Sequence, residues 1–181
     1  MSKNIFAIPG SLRAGSSNHS ILKIIGDMIP GSINYQIYDG LSSIPPFDPG
    51  LDNDTPPQPI TDLRNLITNA DAIIICTPEY AYGVPGQLKN AIDWMVSSGS
   101  FSGKLTALIT ASTGGENAHT ALLKILGAVD AVVPAEVTLL ISYIRSKMNA
   151  EGMVTDKETA EGIRRVVNAL QHYSGSSAPA E

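Results

Sequence analysis

The chain alternates between short, unbroken aliphatic runs and longer stretches with helical spacing. "NIFAI" (4–8), "AIIIC" (72–76), "LTALIT" (105–110) and "VTLLIS" (137–142) are continuous, aliphatic and bounded by turn residues. Strands of a parallel sheet covered on both faces read this way, because neither face calls for polar positions. "INYQIY" (33–38) alternates instead, which predicts a strand nearer the sheet edge. Between these runs lie apolar stripes. Ile21, Leu22, Ile24, Ile25, Met28 and Ile29 make the first, and Ile60, Leu63, Leu66, Ile67 and Ala70 the second. The third opens at Pro85, a residue suited to the first helical position, and runs through "GQLKNAIDWMV" to residue 96. Ala118, Ala121, Leu122, Ile125 and Leu126 make the fourth. Thr155 with Glu158 predicts a capping box ahead of the last stripe, Ile163, Val166, Val167 and Leu170.

Strand and helix thus alternate five times, which predicts an α/β fold with helices on both faces of one sheet. Two segments fall outside this rhythm. Residues 40–59 hold six of the twelve prolines and are expected to form an ordered, irregular loop. The segment "SGSSAPAE" (174–181) has nothing to bury and is expected to be a disordered tail. Residues 1–173 are expected to form a single domain, since 181 residues are enough for one core in two or three layers.

Composition removes several classes of function. The net charge of -5 and the lack of any Lys/Arg cluster give no footprint for nucleic acid or an anionic membrane. Cys76 is the only cysteine, so neither a disulfide framework nor a Cys-rich metal site is expected. "MSKNIFAIPG" is broken too early by Pro9 and Gly10 for a signal peptide, and no apolar run nears the roughly 20 residues of a membrane helix. A cytoplasmic location is the resulting expectation. His19, His119 and His172 lack metal-ligand spacing, and Asp48, Asp52 and Asp54 lack the glycine and distal Glu of a calcium loop.

In an open α/β sheet, ligands lie outside the carboxyl ends of the strands, where strand order reverses. Three loops after strands therefore matter. "PGSLRAGSSN" (9–18) follows the first run. Gly10 and Gly15 free its backbone, Ser11, Ser16, Ser17 and Asn18 supply hydrogen-bonding side chains, and Arg13 supplies one full charge. The helix starting near Asn18 adds free N–H groups and a positive dipole end. The spacing nearly spells a nucleotide-triphosphate loop, but Ser16 stands where its lysine belongs. Such a loop suits a phosphate, and it equally suits a plain Ser/Asn helix cap.

"CTPEYAYGVPG" (76–86) follows the "AIIIC" run. It lacks the arginine of a C-x5-R phosphatase loop. Its rigid, partly aromatic turn suits a flat ring, or else Tyr80 and Tyr82 cover the core or a subunit contact. "TASTGGENAH" (110–119) places Ser112, Gly114 and Gly115 in a small-residue loop ahead of a helix, as generic strand-to-helix turns also do. Ser11, His119 and Glu79 make no hydrolase triad, because Ser11 lacks the G-x-S-x-G elbow. A phosphate loop, a ring-contacting turn and a small-residue loop together fit one flat cofactor with a phosphate tail, such as FMN. The absence of G-x-G-x-x-G argues against a dinucleotide fold.

These residues resemble the NADPH-dependent FMN reductases, which include bacterial quinone, chromate and azo-dye reductases. "GSLRAGSSN" resembles that family's G-S-x-R-x-x-S-x-N phosphate loop. "TPEYAYGVPGQLKNAIDW" resembles its P-E-Y-x-x-x-x-P-x-x-L-K-N-x-x-D-W signature, "ASTGG" the loop flanking the flavin, and "NAEGMVTD" the late acidic turn. The likeness runs from about Ile5 to Leu170. It implies a flavodoxin-like three-layer sandwich with a five-stranded parallel sheet in the order 2-1-3-4-5. By the same resemblance, Ser11, Arg13, Ser16, Ser17 and Asn18 hold the FMN phosphate. Pro78, Glu79, Tyr80, Ala81, Tyr82 and Gly83 line the isoalloxazine, largely through backbone N–H groups, and Ser112, Gly114 and Gly115 close its other side.

The implied activity is NAD(P)H oxidation by a ping-pong route, with two electrons passing through flavin N5 to quinones, azo dyes or chromate. No side chain need act as acid or base, so no catalytic residue is assigned. The alternative is an FMN electron carrier without NAD(P)H turnover. Lys89, Asp93 and Trp94 match a helix that the family sets near its subunit interface, which implies a homodimer or homotetramer through residues 85–96. Two departures stand out. Ala81 replaces an Asn common after P-E-Y, and "ENAHTA" stands where many members have a second glycine pair and an Arg.

Overall fold

A computed structural model describes residues 3–13 and 15–172. Five strands, β1 (Asn4–Pro9), β2 (Asn34–Ile37), β3 (Ala72–Thr77), β4 (Leu105–Ala111) and β5 (Thr138–Ile141), form one sheet in the order β2-β1-β3-β4-β5. Every neighbouring pair is parallel. Five helices connect or follow them: α1 (Ser17–Met28), α2 (Gln58–Thr68), α3 (Gly86–Asp93), α4 (Glu116–Ala128) and α5 (Lys157–His172). All residues of β3 and β4 are buried, whereas β2 and β5 at the edges are partly exposed. The alternating pattern of 33–38 and the continuous runs of β1, β3 and β4 report sheet position correctly. The continuous "VTLLIS" run does not, because it forms the partly exposed edge strand β5 rather than a strand covered on both faces.

Successive strand residues point to opposite faces, and each face builds its own core. Phe6, Ile8, Ile73, Ile75 and Leu108 join residues of α2, α3 and α4. Ile5, Ala7, Ala72, Ile74, Cys76 and Ile109 join residues of α1 and α5. The result is a three-layer sandwich. The strand order reverses beside β1, so the cleft rule for doubly wound sheets points to the carboxyl ends of β1 and β3.

The proline-rich segment is ordered and clamped onto α3. The Gln87 amide donates to the carbonyls of Leu41 and Ile44, both at 2.8 Å. The Asn90 amide and the Trp94 indole N–H both donate to Pro45 O, at 2.8 and 2.9 Å. Phe47 packs edge-on against Trp94 with ring centroids 5.1 Å apart.

Three local expectations need correction. Helix α3 ends at Asp93, with Pro85 as its N-cap and Trp94 as its C-cap, so the helix is shorter than 85–96. Trp94 is fully buried within the chain, under the proline-rich loop, and offers no surface to another subunit. The helix α5 is capped by Asp156 rather than Thr155. The Asp156 carboxylate accepts from the Thr159 hydroxyl at 2.6 Å and the Thr159 N–H at 2.8 Å. These bonds hold its carboxyl below the usual carboxylate range. The expected tail, 174–181, lies outside the described residues.

Candidate functional site

The loops after β1, β3, β4 and β5 converge on one cleft of about 350 Å³, a volume within the ordinary range for small-molecule sites. Each loop is held by identifiable contacts. The Gly10 N–H donates to Cys76 O at 2.8 Å, which carries the first loop alongside the end of β3. A Cβ on Gly10 would fall 2.3 Å from Thr77 Oγ1, so only glycine permits this approach. Ser11 Oγ accepts the Arg13 N–H at 3.3 Å and lies 3.3 Å from the Tyr80 hydroxyl. Ser16 is the N-cap of α1, and its hydroxyl accepts the His19 N–H at 3.2 Å. Among the described residues, the N–H groups of Ser17 and Asn18 have no partner, as expected of a first helical turn. A helix start of this kind suits an anion.

Asn18 has a different role from its neighbours. Its buried side chain donates to Ala111 O at 3.3 Å and accepts from the Cys76 thiol at 3.4 Å. It therefore ties α1 to β3 and β4, and its side chain is engaged within the protein. Burial pushes the Cys76 thiol up, which keeps it protonated and unreactive. His119 is spent on Thr110, with Nδ1 2.9 Å from Oγ1, and burial lowers its pKa.

In the loop after β3, Tyr80 and Gly83 exchange reciprocal backbone hydrogen bonds at 3.0 and 2.9 Å. Ala81 and Tyr82 between them have φ of 48° and 60°. Two left-handed residues closed by such a pair match a type I′ turn, where Asn-Gly would be preferred. Side chains at these two positions cost of order 1 kcal/mol each. The turn leaves Tyr80 half exposed and Tyr82 83% exposed. The N–H groups of Tyr80 and Gly83 are consumed by the turn, and that of Glu79 donates to Ser112 Oγ at 3.1 Å. Only Ala81 and Tyr82 retain free N–H groups among the described residues, so the backbone contribution expected of 78–83 narrows to these two.

Glu79 links two loops. Its carboxylate accepts the Ala118 N–H in the first turn of α4 at 2.9 Å, a favourable place for an anion. Replacing Glu79 by Ala is expected to cost about 1 kcal/mol of stability and to weaken ligand binding several-fold by freeing the β3 loop from α4. Glu79→Gln keeps an acceptor oxygen and is expected to fall between Ala and the native residue in both measurements. Urea denaturation and ligand titration of the three proteins check this.

The last residue of β4, Ala111, and the loop after it, with Ser112 and Thr113, contribute to the cleft wall. Gly114 and Gly115 are not part of this wall. Gly115 is the N-cap of α4 with φ of 119°, and a Cβ there would meet Leu140 Cδ1 at 2.9 Å. Its role is backbone geometry and close packing on β5. Ala81, Tyr82 and Gly83 likewise do not line the cleft. The cleft lining itself comprises Ser11, Arg13, Ser16, Ser17, Asn18, Pro78, Glu79, Tyr80 and Ser112 from the expected set.

Sequence reasoning missed one wall. The N–H groups of Tyr143 and Ile144 donate to Thr113 O and Ser112 O, each at 3.1 Å. They bring Ile144 and Arg145 over the cleft. The signal was the same rule used for the other loops, since Arg145 also follows the carboxyl end of a strand. Among the described residues, neither Arg13 nor Arg145 has a salt-bridge partner. No group of three His, Cys, Asp or Glu among them could hold a metal ion, and no helix is long and apolar enough to cross a membrane. Two unpaired guanidiniums, hydroxyls and a helix N-terminus beside a partly aromatic turn fit the phosphate and ring of FMN.

Fold and site together define a flavodoxin-like α/β protein with a cleft for a phosphorylated, flat cofactor. The family model described as NADPH-dependent FMN reductase matches residues 3–145. This chain belongs to the NADPH-dependent FMN reductase family. It is 30% identical to a quinone reductase of Escherichia coli K12 over 176 residues, covering 93% of this chain and 94% of that one. It is 32% identical to an NAD(P)H-dependent FMN reductase of Pseudomonas aeruginosa over 172 residues, covering 92% of each. Among solved structures, it is similar to FerB, a flavoenzyme NAD(P)H:(acceptor) oxidoreductase of Paracoccus denitrificans. That match has a TM-score of 0.80 and 30% identity, over 93% of this chain and 94% of that one.

Proposed function

We propose that this protein is an FMN-dependent reductase that oxidises NAD(P)H and passes the electrons to quinones by a ping-pong route. Azo dyes and chromate are further acceptors to test. The observation that carries the reading is the meeting of an anion-binding loop and an aromatic turn in one cleft where strand order reverses. FMN, when held by these loops, would supply the redox chemistry, accepting a hydride from NAD(P)H and returning two electrons to the acceptor. The chain's residues bind and orient. Arg13, the hydroxyls of Ser11, Ser16 and Ser17, and the N–H groups of Ser17 and Asn18 hold the phosphate. Pro78, Tyr80, Ala81, Tyr82 and Gly83 set one edge of the ring. Ser112 closes the other side, with Glu79, Gly114 and Gly115 keeping the two loops in register.

No side chain in the cleft is required to move a proton. Tyr80 and Tyr82 are exposed, which supports a single open entrance that donor and acceptor would use in turn. Initial rates over a grid of NADPH and benzoquinone concentrations test this. Parallel double-reciprocal lines are expected. Intersecting lines contradict a shared entrance, and absence of NADPH oxidation favours the electron-carrier alternative.

Association into a homodimer or homotetramer through residues 85–96 stays a proposal. With Trp94 internal, it rests on exposed apolar side chains near that segment, Val96 and Tyr82. Sedimentation at micromolar concentration checks it, with a species of at least two chains expected and a monomer contradicting it.

A further inference from the structure

A second cavity, of about 210 Å³, adjoins the cleft and shares Arg13, Ser17 and Arg145 with it. It is smaller than an ordinary small-molecule site, which makes it an annexe of the cleft rather than a site of its own. It runs between the start of α1 and the segment leading to α5. Beyond the shared residues, Ser20, Met148, Asn149, Ala150 and Gly152 form its wall, and among the described residues no carboxylate lines it. Its far side is a tight turn. The Gly152 N–H donates to Asn149 O at 3.1 Å, and the Met153 N–H donates to Asn149 Oδ1 at 2.8 Å. Gly152 has φ of 79°, and a Cβ there would meet Ser20 Oγ at 3.0 Å. This contact seats the turn against α1 and gives the annexe a defined shape.

Arg13 and Ser17 are assigned above to the flavin phosphate, so the annexe opens at the point where that phosphate is held. A separate ligand in the annexe would compete with the phosphate for those two side chains. A group bonded to the phosphate would not. Arg145 enters from the loop after β5, lines both cavities and is exposed. Its forked guanidinium suits the oxygens of a second phosphoryl group next to the first. We infer that the annexe receives the second phosphate of a flavin with a diphosphate tail, so that this site holds FAD as well as FMN. This rests on the flavin-site reading above. Arg145 and the Ser20 hydroxyl meet the second phosphate. Half-buried Met148 and exposed Ala150 form the lip over which the adenosine leaves for solvent.

The test is calorimetric titration of the flavin-free full-length chain with purified FMN and purified FAD, read as the ratio of the two affinities. The unaltered protein is expected to bind FAD within about tenfold of FMN, a second phosphate contact offsetting the charge that the first phosphate loses as a diester. Arg145→Ala is expected to shift the ratio against FAD by roughly tenfold or more, the scale of one charge-assisted contact. Ala150 lines the annexe and not the cleft. Ala150→Glu is expected to weaken FAD and Ala150→Lys to strengthen it, with FMN affinity unmoved in both. Opposite effects of two substitutions at one position are not produced by misfolding. Binding of FMN without measurable binding of FAD overturns the inference, because the annexe is then closed to the longer tail. FAD bound with a ratio that none of the variants changes also overturns it, because the tail then hangs in solvent outside the annexe. Failure of the unaltered protein to bind FMN overturns the flavin-site reading itself and is seen separately, in the FMN titration alone.

Discussion

Arg13→Ala is expected to weaken FMN binding by roughly 10- to 100-fold, the worth of one charge-assisted phosphate contact. Arg13 is the only full charge in the loop after β1, where Ser16 occupies the place of a nucleotide-loop lysine. Apart from Arg145, which reaches the cleft from the loop after β5, the other candidate phosphate contacts are hydroxyls and helix N–H groups, which are neutral. The guanidinium is exposed, so the loss is expected to shrink as salt rises. Arg13→Lys keeps the charge without the forked geometry and is expected to recover part of the affinity. Quenching of FMN fluorescence on titration with apoprotein reads all three proteins. Unchanged affinity in Arg13→Ala contradicts the assignment of this loop to the phosphate.

The largest expected loss of stability comes from Trp94→Ala, at about 3–5 kcal/mol. Trp94 is fully buried, and removing it leaves a cavity beneath the proline-rich loop and strips the edge-on partner from Phe47. Trp94→Phe keeps most of the packing and loses the indole N–H bond to Pro45 O. That carbonyl still accepts from the Asn90 amide, so a cost nearer 1 kcal/mol is expected beyond the change in packing. Urea denaturation followed by circular dichroism measures both, since the only tryptophan is lost in each variant. A cost below about 1 kcal/mol for the Ala variant contradicts the internal placement and returns Trp94 to a surface role.

That residue also marks where the sequence stopped being informative. The helix stripe from Leu88 to Met95 predicts an apolar face, but periodicity does not say what covers it. A second subunit and the chain's own 40–57 segment leave the same pattern. The covering is achieved by the amides of Gln87 and Asn90 and by an indole N–H, which donate to carbonyls more than 40 residues away in sequence. Such contacts carry no spacing signal. The inner strands were legible because a doubly covered strand has to be apolar throughout, and edge strand β2 was legible because one of its faces is wet. Strand β5 is equally aliphatic and lies at the other edge, so an apolar run alone did not give its position. The end of α5 shows the finer limit. Thr155 and Asp156 are both able to cap a helix, and only the backbone geometry selects Asp156.

The site divides along the same line. Ser11, Arg13, Ser16 and Ser17 were visible because they crowd into one loop after a strand. Arg145 stands alone in a loop that sequence spacing does not connect to the others. Its place depends on two backbone hydrogen bonds to the loop after β4. Glu79 was legible as a loop residue, but its role as a cap on α4 depends on a contact across 39 residues. Ala81 is the instructive departure. The turn has two left-handed residues, Ala81 and Tyr82, a conformation that Asn adopts more readily than Ala, so Ala81 holds this backbone shape at a cost that Asn would reduce.

The central claim is that the cleft holds FMN and lets NAD(P)H reduce it. The most direct measurement is the absorbance spectrum of the protein after FMN addition and desalting, followed by anaerobic NADPH. The account predicts retained flavin, near one per chain, that NADPH bleaches completely. Protein that emerges colourless from desalting, or retained flavin that NADPH leaves unbleached, contradicts it.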